Sequence, residues 1–397
     1  MNVLVLYNSN LYPITRANQQ RINQTILSLA EHHDVHVISF YHNEEQKREA
    51  ENRLGQDSTL HLFPAAPSNL RAKGIDLRNK VLRKLSIAPK GRRSSRDYFR
   101  RDIIRVLSGN VYDAVISEYW HWADLFDHLP PSTIKIIDTH NVNFQKRALK
   151  ASPTNRIRRF LKERKLKKYR QWELGAYEKA DILIAIATQD ERYFRDKFSD
   201  KRIEYIPIGI DIELLEGYEL SPKGNTILFY GGMSDQQNKL AFWKLYDDIL
   251  PKIRNKLEDV RLLVVGNNPP ESIVDLDNGD DVRVTGYVED TLPYLCQSKV
   301  CVLPMTTAGG FRGRLLEVMG LGVPTVGTHN ALDCIGFRNG TDGFITDDDQ
   351  EMADTVLRLL TDEQEWCAVS ASAKEFIRST YSMQEIGKRY VGLLSKQ

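Results

Sequence analysis

The sequence predicts an α/β protein of two domains, each built around a parallel, doubly wound β-sheet. Short β-branched runs alternate with helical patterns along the chain, and the whole alternation occurs twice. A chain of 397 residues is also longer than one hydrophobic core usually supports, because cores stop growing at about 250–300 residues. We therefore expect an N-terminal domain at 1–206, a linker at 207–222 and a C-terminal domain at 223–380. The last helix, at about 381–397, is expected to pack back on the N-terminal domain.

The strands are predicted from short runs of Val, Ile and Leu. In the N-terminal half they lie at 3–7, 35–39, 114–117, 134–138, 182–187 and 203–207. In the C-terminal half they lie at 226–231, 261–266, 282–286, 300–304, 324–328 and 343–346. Pro207 to Pro222 carries turn residues without a sustained period, which predicts the linker. Ligands of open parallel sheets bind beyond the carboxyl ends of the strands, so function is expected in strand-to-helix loops facing a cleft between the domains.

Charge is divided unevenly between the halves. The first 205 residues carry 37 Lys and Arg against 24 Asp and Glu, whereas the remainder carries 18 against 29. This asymmetry indicates that the N-terminal half faces a membrane, a nucleic acid or an acidic polymer. No run approaches the ~18 apolar residues of a membrane-spanning helix, the N-terminus lacks a signal sequence, and the four cysteines lack paired spacing. These features predict a cytoplasmic protein without structural zinc or disulfides.

One segment of the C-terminal half has the composition of a phosphate site. After the strand VCVLP, three glycines and two arginines precede a helix. Glycine lets the backbone approach a ligand, the unpaired amides of a helix N-terminus attract anions, and guanidinium groups match phosphate oxygens. Arg314 is expected to act catalytically by stabilising the charge on a departing nucleoside diphosphate. The alternative is an ordinary loop in which Arg314 and Glu317 form a surface ion pair.

The segment GGFRGRLLEVMGLGVPTV, at Gly309 to Val326, resembles the donor-site signature of retaining glycosyltransferases of family 4, which have the GT-B fold. A glycine stands where that family has its first motif glutamate, and the two arginines match a subgroup with G-G-x-R-x-K before L-E. The resemblance implies that Glu317 binds the nucleotide ribose. It also implies donor-binding roles for Gly309, Gly310, Phe311 and Arg312.

Two further segments extend the resemblance through the C-terminal half. FYGGMSDQQN resembles the turn that opens the donor domain, which implies that Gly231, Gly232 and Lys239 lie near the diphosphate. VRVTGYVED resembles the strand and turn that recognise the base, around Tyr287 and Val288. Tyr287 has the alternative of being a core aromatic. Since the family needs no bound metal, neither a metal nor another cofactor is expected.

Two segments of the N-terminal half resemble the acceptor side of the same family. YDAVISEYWHWAD resembles its D-V-V-H-x-H segment with Glu118 in place of the histidine, which implies a catalytic role at an acceptor hydroxyl or at oxocarbenium-like charge. IIDTHNVNFQKRA resembles its D-x-H-N/D-V loop, which implies a catalytic role for His140 and acceptor-side roles for Asp138 and Asn141. Helix capping is the alternative for Asp138 and Asn141, and packing between tryptophans is the alternative for His121.

Basic residues flank this predicted acceptor site. Arg16 is expected to meet donor phosphate or an anionic acceptor, or else to be solvated. Residues 71–105 hold 13 Lys and Arg against 3 acids, and residues 146–170 hold 12 against 1. In the second tract apolar side chains interleave with cations, which is typical of a helix in an anionic membrane interface. The alternative is a solvated helix face.

These observations lead to one main hypothesis and two alternatives. The main hypothesis is a glycosyltransferase that moves a sugar from a UDP-, GDP- or dTDP-linked donor to a glycan or lipid-linked acceptor, with retention. It would associate peripherally with the inner face of the cytoplasmic membrane and would not bind nucleic acid, because no nucleic-acid motif accompanies the basic tracts. The alternatives are a nucleotide-sugar 2-epimerase of the same fold and a catalytically inactive GT-B partner protein.

Overall fold

The computed structural model describes residues 1–15, 17–65, 94–144, 156–307 and 311–395, without the side chains of 17, 94, 95 and 156–158. Three predicted site residues, Arg16, Gly309 and Gly310, therefore lie outside the described residues, as do parts of both basic tracts. The chain divides into two compact units. The N-terminal unit comprises Met1–Ile208 and Ile386–Gln397, and the C-terminal unit comprises Gly209–Glu385.

The N-terminal unit contains a seven-stranded parallel sheet in the order β3-β2-β1-β4-β5-β6-β7. Its central strands β1 and β4 are buried and mostly apolar, apart from exposed Asn2 and buried Ser117 and Glu118, as expected where helices cover both faces of a parallel sheet. The strands are β1 Asn2–Leu6, β2 Asp34–Tyr41, β3 Ser58–Pro64, β4 Ala114–Glu118, β5 Ile134–Asp138, β6 Ile182–Ala185 and β7 Arg202–Tyr205.

Helices pack on both faces of this sheet and enclose two apolar cores. The last helix begins in the C-terminal unit, and its residues from Ile386 onward belong to the N-terminal unit. The described helices are Ala17–Ala30, Glu44–Leu54, Ser94–Tyr98, Arg100–Gly109, the 3₁₀ helix Trp120–His128, Arg156–Glu178, Thr188–Lys197 and Met383–Ser395.

The C-terminal unit contains a six-stranded parallel sheet in the order β10-β9-β8-β11-β12-β13. Its strands are β8 Asn225–Tyr230, β9 Val260–Val265, β10 Val282–Val284, β11 Val300–Leu303, β12 Thr325–Gly327 and β13 Phe344–Ile345. Its helices are Ile212–Glu216, Gln236–Trp243, the π-helical turn Lys244–Ile249, Leu250–Arg254, Glu271–Val274, Leu292–Leu295, Arg314–Leu321, His329–Leu332, Asp349–Thr361 and Glu363–Tyr381. None of the helices in the described parts of the chain is long and apolar enough to cross a membrane.

Strand order decides where each unit can bind a ligand. In both sheets the order runs outward in opposite directions from a central pair, β1 and β4 in the N-terminal unit and β8 and β11 in the C-terminal unit. The loops that leave the carboxyl ends of such a pair diverge and open a crevice, which is the usual binding position in doubly wound folds. The predicted fold class is thus confirmed, and its topology directs attention to the loops after these strands.

Two features of the fold differ from the sequence-based expectations. Strand β3 was not predicted, because Ser58–Pro64 contains no run of Val, Ile and Leu; it lies at the sheet edge, where none of its residues is fully buried. Residues 209–222, predicted as linker, belong to the C-terminal unit. They include the helix Ile212–Glu216, and Leu215 is buried in the core of that unit. The division at Ile208 therefore lies near the beginning of the predicted linker.

The loop after β8 requires a glycine on the neighbouring strand end. An added Cβ at Gly266 would lie 2.0 Å from the carbonyl oxygen of Gly231 and 2.6 Å from its carbonyl carbon. We predict that Gly266→Ala lowers the free energy of unfolding by about 1–3 kcal/mol, because the contact is with backbone that must shift. Urea unfolding measures the change. Gly217→Ala is the matched control, because a Cβ at Gly217 meets nothing within 4 Å, and equal losses in both variants would contradict the prediction.

Asp190, in the first turn of helix Thr188–Lys197, makes the stability of the N-terminal unit depend on pH. Burial raises the pKa of Asp190 to about 6, and the hydrogen bond from the Val142 amide opposes the rise. Since the folded pKa exceeds the unfolded value, the native state binds the proton more tightly, and wild type loses stability as pH rises from about 4 to about 6.

We predict that Asp190→Asn gains stability relative to wild type over that same pH range, because Asn does not ionise. The gain should be about 2–3 kcal/mol between pH 4 and pH 7, which is the free energy of a two-unit pKa difference. Urea unfolding of both proteins across the range measures it. Asp196→Asn, at an exposed position of the same helix, is the control, and its free energy of unfolding relative to wild type should not change over this pH range. The same result for Asp190→Asn would contradict the role given to Asp190.

Candidate functional site

The carboxyl end of the N-terminal sheet brings together two carboxylates and a histidine. Glu118 and Asp138 are the last residues of β4 and β5, where they are paired in register, and both are fully buried. His140 follows β5 by two residues, with a left-handed φ of 53° and only 2% exposure. Its Nε2 lies 2.5 Å from Glu118 Oε2. Three residues singled out from the sequence are thus adjacent.

Glu118 and His140 form a proton-holding pair. A separation of 2.5 Å between a ring nitrogen and a carboxylate oxygen requires a hydrogen between them. Burial raises the pKa of Glu118, and the charge of Asp138 raises it further, while the hydrogen bond and charge of His140 and the charge of Arg21 oppose the rise. The other oxygen, Glu118 Oε1, is buried without a hydrogen-bond partner in the described structure. The pair can therefore exchange a proton with a third group.

Asp138 is held by side chains from both ends of the chain. Arg21 Nε and Nη2 donate to Asp138 Oδ2 at 3.1 and 2.8 Å, and Tyr390 Oη donates to the same oxygen. Arg21 also donates to the carbonyls of Ile206 and Pro207. Burial disfavours the charged guanidinium, but Asp138, Tyr390 and Glu118 outweigh that effect and raise the pKa of Arg21. The helix-capping alternative for Asp138 is therefore wrong.

Tyr119 covers the histidine of this site. It follows β4 directly with a φ of 68°, and its ring stacks on His140 with the centroids 4.3 Å apart and the planes at 15°. Asn18 Nδ2 donates to Tyr119 Oη at 3.1 Å. His121 contacts Trp120 edge-on at 4.2 Å and Tyr119 at 6.3 Å, which is a packing arrangement. Two adjacent loops thus adopt left-handed backbone where the acid–histidine pair forms.

The same three side chains also satisfy the geometry of a metal site. One ligand atom each from Glu118, Asp138 and His140 lies within 4.8 Å of the others. However, the guanidinium of Arg21 already neutralises Asp138, and a divalent ion bound there would face that cation. Glu118 Oε2 and His140 Nε2 are likewise occupied by their mutual hydrogen bond. The donor set therefore fits a proton better than a metal ion.

The C-terminal unit gathers two arginines at the carboxyl end of its sheet, after β11. Arg312 is 8% exposed and donates to the carbonyl of Asn330 at 3.5 Å, while Arg314 Nη2 donates to Asn238 Oδ1 at 2.9 Å. Neither forms an ion pair with a carboxylate among the described residues, and both buried Nε atoms lack partners there. Burial lowers the pKa of both, and the charge of Arg312 lowers that of Arg314 further.

Glu317 lies one turn into the helix that Arg314 begins. Its Oε2 accepts a hydrogen bond from Tyr230 Oη at 2.7 Å, and that hydroxyl is 3.2 Å from Thr291 Oγ1. Burial raises the pKa of Glu317, and the hydrogen bond from Tyr230 and the charge of Arg314 oppose the rise. The two helix residues are engaged with different partners, so the surface-pair alternative for Arg314 and Glu317 is wrong.

The loop after β8 completes this cluster. A Cβ at Gly231 would lie 2.6 Å from Arg314 Nη1, so the glycine makes room for the guanidinium. Asn238 Nδ2 donates to the Gly232 carbonyl at 2.7 Å while its Oδ1 accepts from Arg314. Backbone of the β8 loop, the helix Gln236–Trp243 and Arg314 are thereby joined. Two predicted diphosphate-side glycines and the predicted catalytic arginine therefore lie together.

The remaining predicted residues occupy more varied positions. Tyr287 is 78% exposed, so its core alternative is wrong, while the neighbouring Val288 packs partly against the core. The ring of Phe311 lies 6.0 Å from that of Tyr381. Lys239 is half-buried on helix Gln236–Trp243. The backbone N–H of Asn141 donates to the Thr139 carbonyl at 2.6 Å. The described contacts of these residues neither support nor exclude their predicted roles in ligand binding.

Four residues of the two sites carry weaker signals in the sequence. Arg21 and Tyr390 bind Asp138 from 117 and 252 positions away, and no local pattern predicts such a pairing. Tyr230 is the last residue of a strand, and the role of its hydroxyl becomes apparent only from its hydrogen bond to Glu317. Asn238 belongs to the FYGGMSDQQN turn, so its position was noticed but its bridge to Arg314 was not.

Comparison with known proteins is consistent with this geometry. Residues 224–362, within the C-terminal unit, match the family model described as glycosyl transferases group 1. Trehalose synthase of Pyrococcus horikoshii is 26% identical over 219 residues, which cover 50% of this chain and 50% of that protein. The chain thus spans about half the length of this curated relative.

Two solved structures share the whole fold. Sucrose-phosphate synthase from Thermosynechococcus elongatus superposes with a TM-score of 0.63 at 16% identity, covering 100% of this chain and 98% of that one. Anabaena Alr3699/HepE in complex with UDP-glucose superposes with a TM-score of 0.60 at 15% identity, covering 100% of both chains. At such identities the likeness shows the fold. Residues 224–362 are thus similar to glycosyl transferases group 1, and the chain as a whole has the two-sheet α/β fold of these solved structures.

Proposed function

We propose that this chain transfers a sugar, with retention, from a nucleoside-diphosphate sugar to a glycan or lipid-linked acceptor at an anionic membrane surface. The C-terminal unit would bind the donor and the N-terminal unit the acceptor. The observation that carries the proposal is the pair of guanidinium groups of Arg312 and Arg314, which form no ion pair with a carboxylate among the described residues and whose Nε atoms are buried without a partner there. The charges of Asp235 and Glu317 act on these arginines only from beyond ion-pair distance. A buried cation without a paired anion is costly, so its presence at a ligand-binding edge supports an anionic ligand.

A diphosphate fits the two arginines better than a single carboxylate does. Two guanidinium groups supply two fixed positive charges, and their planar forks match phosphate oxygens. The amides at the N-terminus of helix Arg314–Leu321 add donors beside them. Arg314 also occupies a fixed position against Asn238, so it need not reorganise as negative charge builds on the leaving diphosphate. We assign Arg314 the larger catalytic role for this reason.

Glu317 is the proposed ribose-binding group. Tyr230 donates to one carboxylate oxygen and so fixes the orientation of the other. A carboxylate that accepts from ribose hydroxyls makes charge-assisted hydrogen bonds, which are stronger than neutral ones. The structural neighbour from Anabaena contains UDP-glucose, which supports a UDP-sugar as the first donor to test.

On the acceptor side, the Glu118–His140 pair is proposed to receive or release the proton of the acceptor hydroxyl. The pair holds a proton between Oε2 and Nε2, and Glu118 Oε1 is a buried acceptor without a partner in the described chain. Asp138 and Arg21 keep the surrounding charge balanced. No metal is required in this proposal, because the two arginines of the C-terminal unit supply the positive charge that a divalent ion would otherwise supply.

The proposal is tested by incubating the full chain with UDP-, GDP- and dTDP-sugars, lipid extract and chelator, with detection by mass. Nucleoside diphosphate released together with a glycosylated product supports transfer. A changed free or nucleotide-linked sugar without transfer supports a 2-epimerase. Donor binding without any turnover supports an inactive partner protein, and loss of activity in chelator would overturn the metal-free proposal.

Arg314→Ala should lower kcat by roughly 100-fold while changing nucleoside-diphosphate affinity less, because the charge matters most as the leaving group departs. Steady-state kinetics and calorimetry with the nucleoside diphosphate separate the two effects. Arg261→Ala is the control, since Arg261 is exposed on the same unit and pairs with Asp280. Wild-type turnover in Arg314→Ala, or an equal effect of both variants, would remove Arg314 from the catalytic site.

The helix Arg156–Glu178 is the proposed membrane-docking surface. Phe160 and Leu161 are 61% and 47% exposed, and Arg164, Lys165 and Lys167 are exposed beside them. Apolar side chains among cations suit the boundary of an anionic bilayer, where each cation contributes on the order of 1 kcal/mol.

Replacing Arg164, Lys165 and Lys167 with Gln should lower the affinity for vesicles containing anionic lipid at least about 10-fold, because each cation contributes roughly 1 kcal/mol. Vesicle sedimentation measures this affinity. The replacement should also reduce transfer to a lipid-linked acceptor and leave transfer to a soluble analogue unchanged. Replacing Lys256, Arg261 and Arg283 of the C-terminal unit removes the same net charge and serves as the control. Equal binding of both triple variants would contradict docking by this helix.

A further inference from the structure

The loop that carries His140 donates backbone hydrogen bonds to two carboxylates, and one of them, Glu173, accepts two of these bonds. After His140 the chain offers three consecutive amide hydrogens, those of Val142, Asn143 and Phe144. Val142 donates to Asp190, while Asn143 donates to Glu173 Oε1 at 2.7 Å and Phe144 donates to Glu173 Oε2 at 2.8 Å. Both oxygens of Glu173 therefore serve this loop.

Glu173 is built into the helix Arg156–Glu178 for this contact. It is fully buried, and Tyr177, one turn further, donates its hydroxyl to Glu173 Oε1 at 2.7 Å. A carboxylate accepts hydrogen bonds at both oxygens, and its charge strengthens them. Glutamine at this position would present one acceptor and one NH₂ group, which would face an amide hydrogen. The site therefore distinguishes glutamate from its closest isostere.

The same face of the helix also contacts the loop that follows β4. Tyr169, Glu173 and Tyr177 recur at intervals of four residues, so they lie along one side of the helix. Tyr169 packs edge-on against Trp120 with ring centroids 5.5 Å apart. Trp120 begins the 3₁₀ helix that follows β4, and only Tyr119 separates it from Glu118 at the end of the strand. One helix face thus contacts both loops whose left-handed residues bring Glu118 and His140 together.

We propose that Glu173 is a positioning residue, which holds the His140 loop on the helix Arg156–Glu178 and thereby fixes His140 Nε2 against Glu118. The inference rests on the proposed function in one respect, that the Glu118–His140 pair serves the transfer reaction. Arg170 contributes from the same helix, with its guanidinium carbon 5.3 Å from the centre of the Phe144 ring. The helix proposed to dock on the membrane would also position one half of the acid–histidine pair.

The first test is hydrogen exchange of the full chain, without substrates, in wild type and Glu173→Gln. Exchange at the amides of Asn143 and Phe144 should become about 10-fold faster or more, because each loses a charge-assisted partner. Glu163→Gln, at an exposed position of the same helix, is the matched control and should leave both amides unchanged. Unchanged exchange in a folded Glu173→Gln protein, or an equal increase along the whole chain, would overturn the proposal.

The second test separates positioning from stability. In Glu173→Gln, kcat should fall by roughly 10-fold to 100-fold with the donor KM unchanged, because misplacement of a reacting group by about 1 Å has effects of this size. Wild-type kcat despite faster exchange would overturn the positioning role. If Glu173→Gln does not fold, Tyr177→Phe removes a hydrogen bond that orients the Glu173 carboxylate and should accelerate exchange at the same two amides. An unchanged pattern in Tyr177→Phe would then count against the proposal.

The two proposals fail in different ways. Absence of sugar transfer in the wild-type protein would refute the proposed function and leave the exchange result standing. Normal sugar transfer with no response of the two amides would refute the role of Glu173 and leave the proposed function intact.

Discussion

The carboxylate of Asp138 is the contact on which the geometry of the N-terminal unit depends. It joins the end of β5 to Arg21 of the first helix and Tyr390 of the last helix. Removing one partner from such a buried pair usually destabilises a protein by about 3–5 kcal/mol, because the other charge remains buried and uncompensated. The same ion pair allows Glu118 to lie beside Asp138 on the next strand, since Arg21 offsets their repulsion. Asp138 therefore both holds the last helix on this unit, through Tyr390, and influences the charge of the Glu118–His140 pair.

The two units treat buried charge in opposite ways. In the N-terminal unit the central guanidinium of Arg21 is paired with Asp138. In the C-terminal unit, Arg312 and Arg314 contact only neutral groups in the described structure, and burial lowers the pKa of both. Stability alone does not favour the second arrangement, because burying a guanidinium without an anion is costly. The proposed anionic ligand would supply the missing partner of Arg312 and Arg314, whereas Arg21 already has Asp138.

The sequence predicted the elements better than the contacts between them. Central strands such as β1 contain a run of buried Val and Leu, so their composition identifies them, whereas β3 is an edge strand without such a run and was missed. Arg314 and Glu317 were predicted from their motif, because a glycine-rich turn before a helix is a local feature. Tyr390 was not, since its hydroxyl meets Asp138 across 252 positions and no local period encodes such a pairing. Glu173 follows the basic tract at 146–170 and was not singled out, because its burial becomes visible only from the fold.

The charge of each half needs to be interpreted at the distance over which it acts. The chain beyond residue 205 carries 29 acids against 18 Lys and Arg, yet this half contains the proposed diphosphate site. Exposed charges are screened within about 8 Å at physiological ionic strength, while buried charges interact at contact distance in a medium of lower dielectric constant. Two arginines at a buried edge can therefore determine ligand binding against an opposing net charge. The exposed cations of helix Arg156–Glu178, such as Arg164 and Lys165, differ in kind, because their proposed attraction to an anionic surface would weaken with salt.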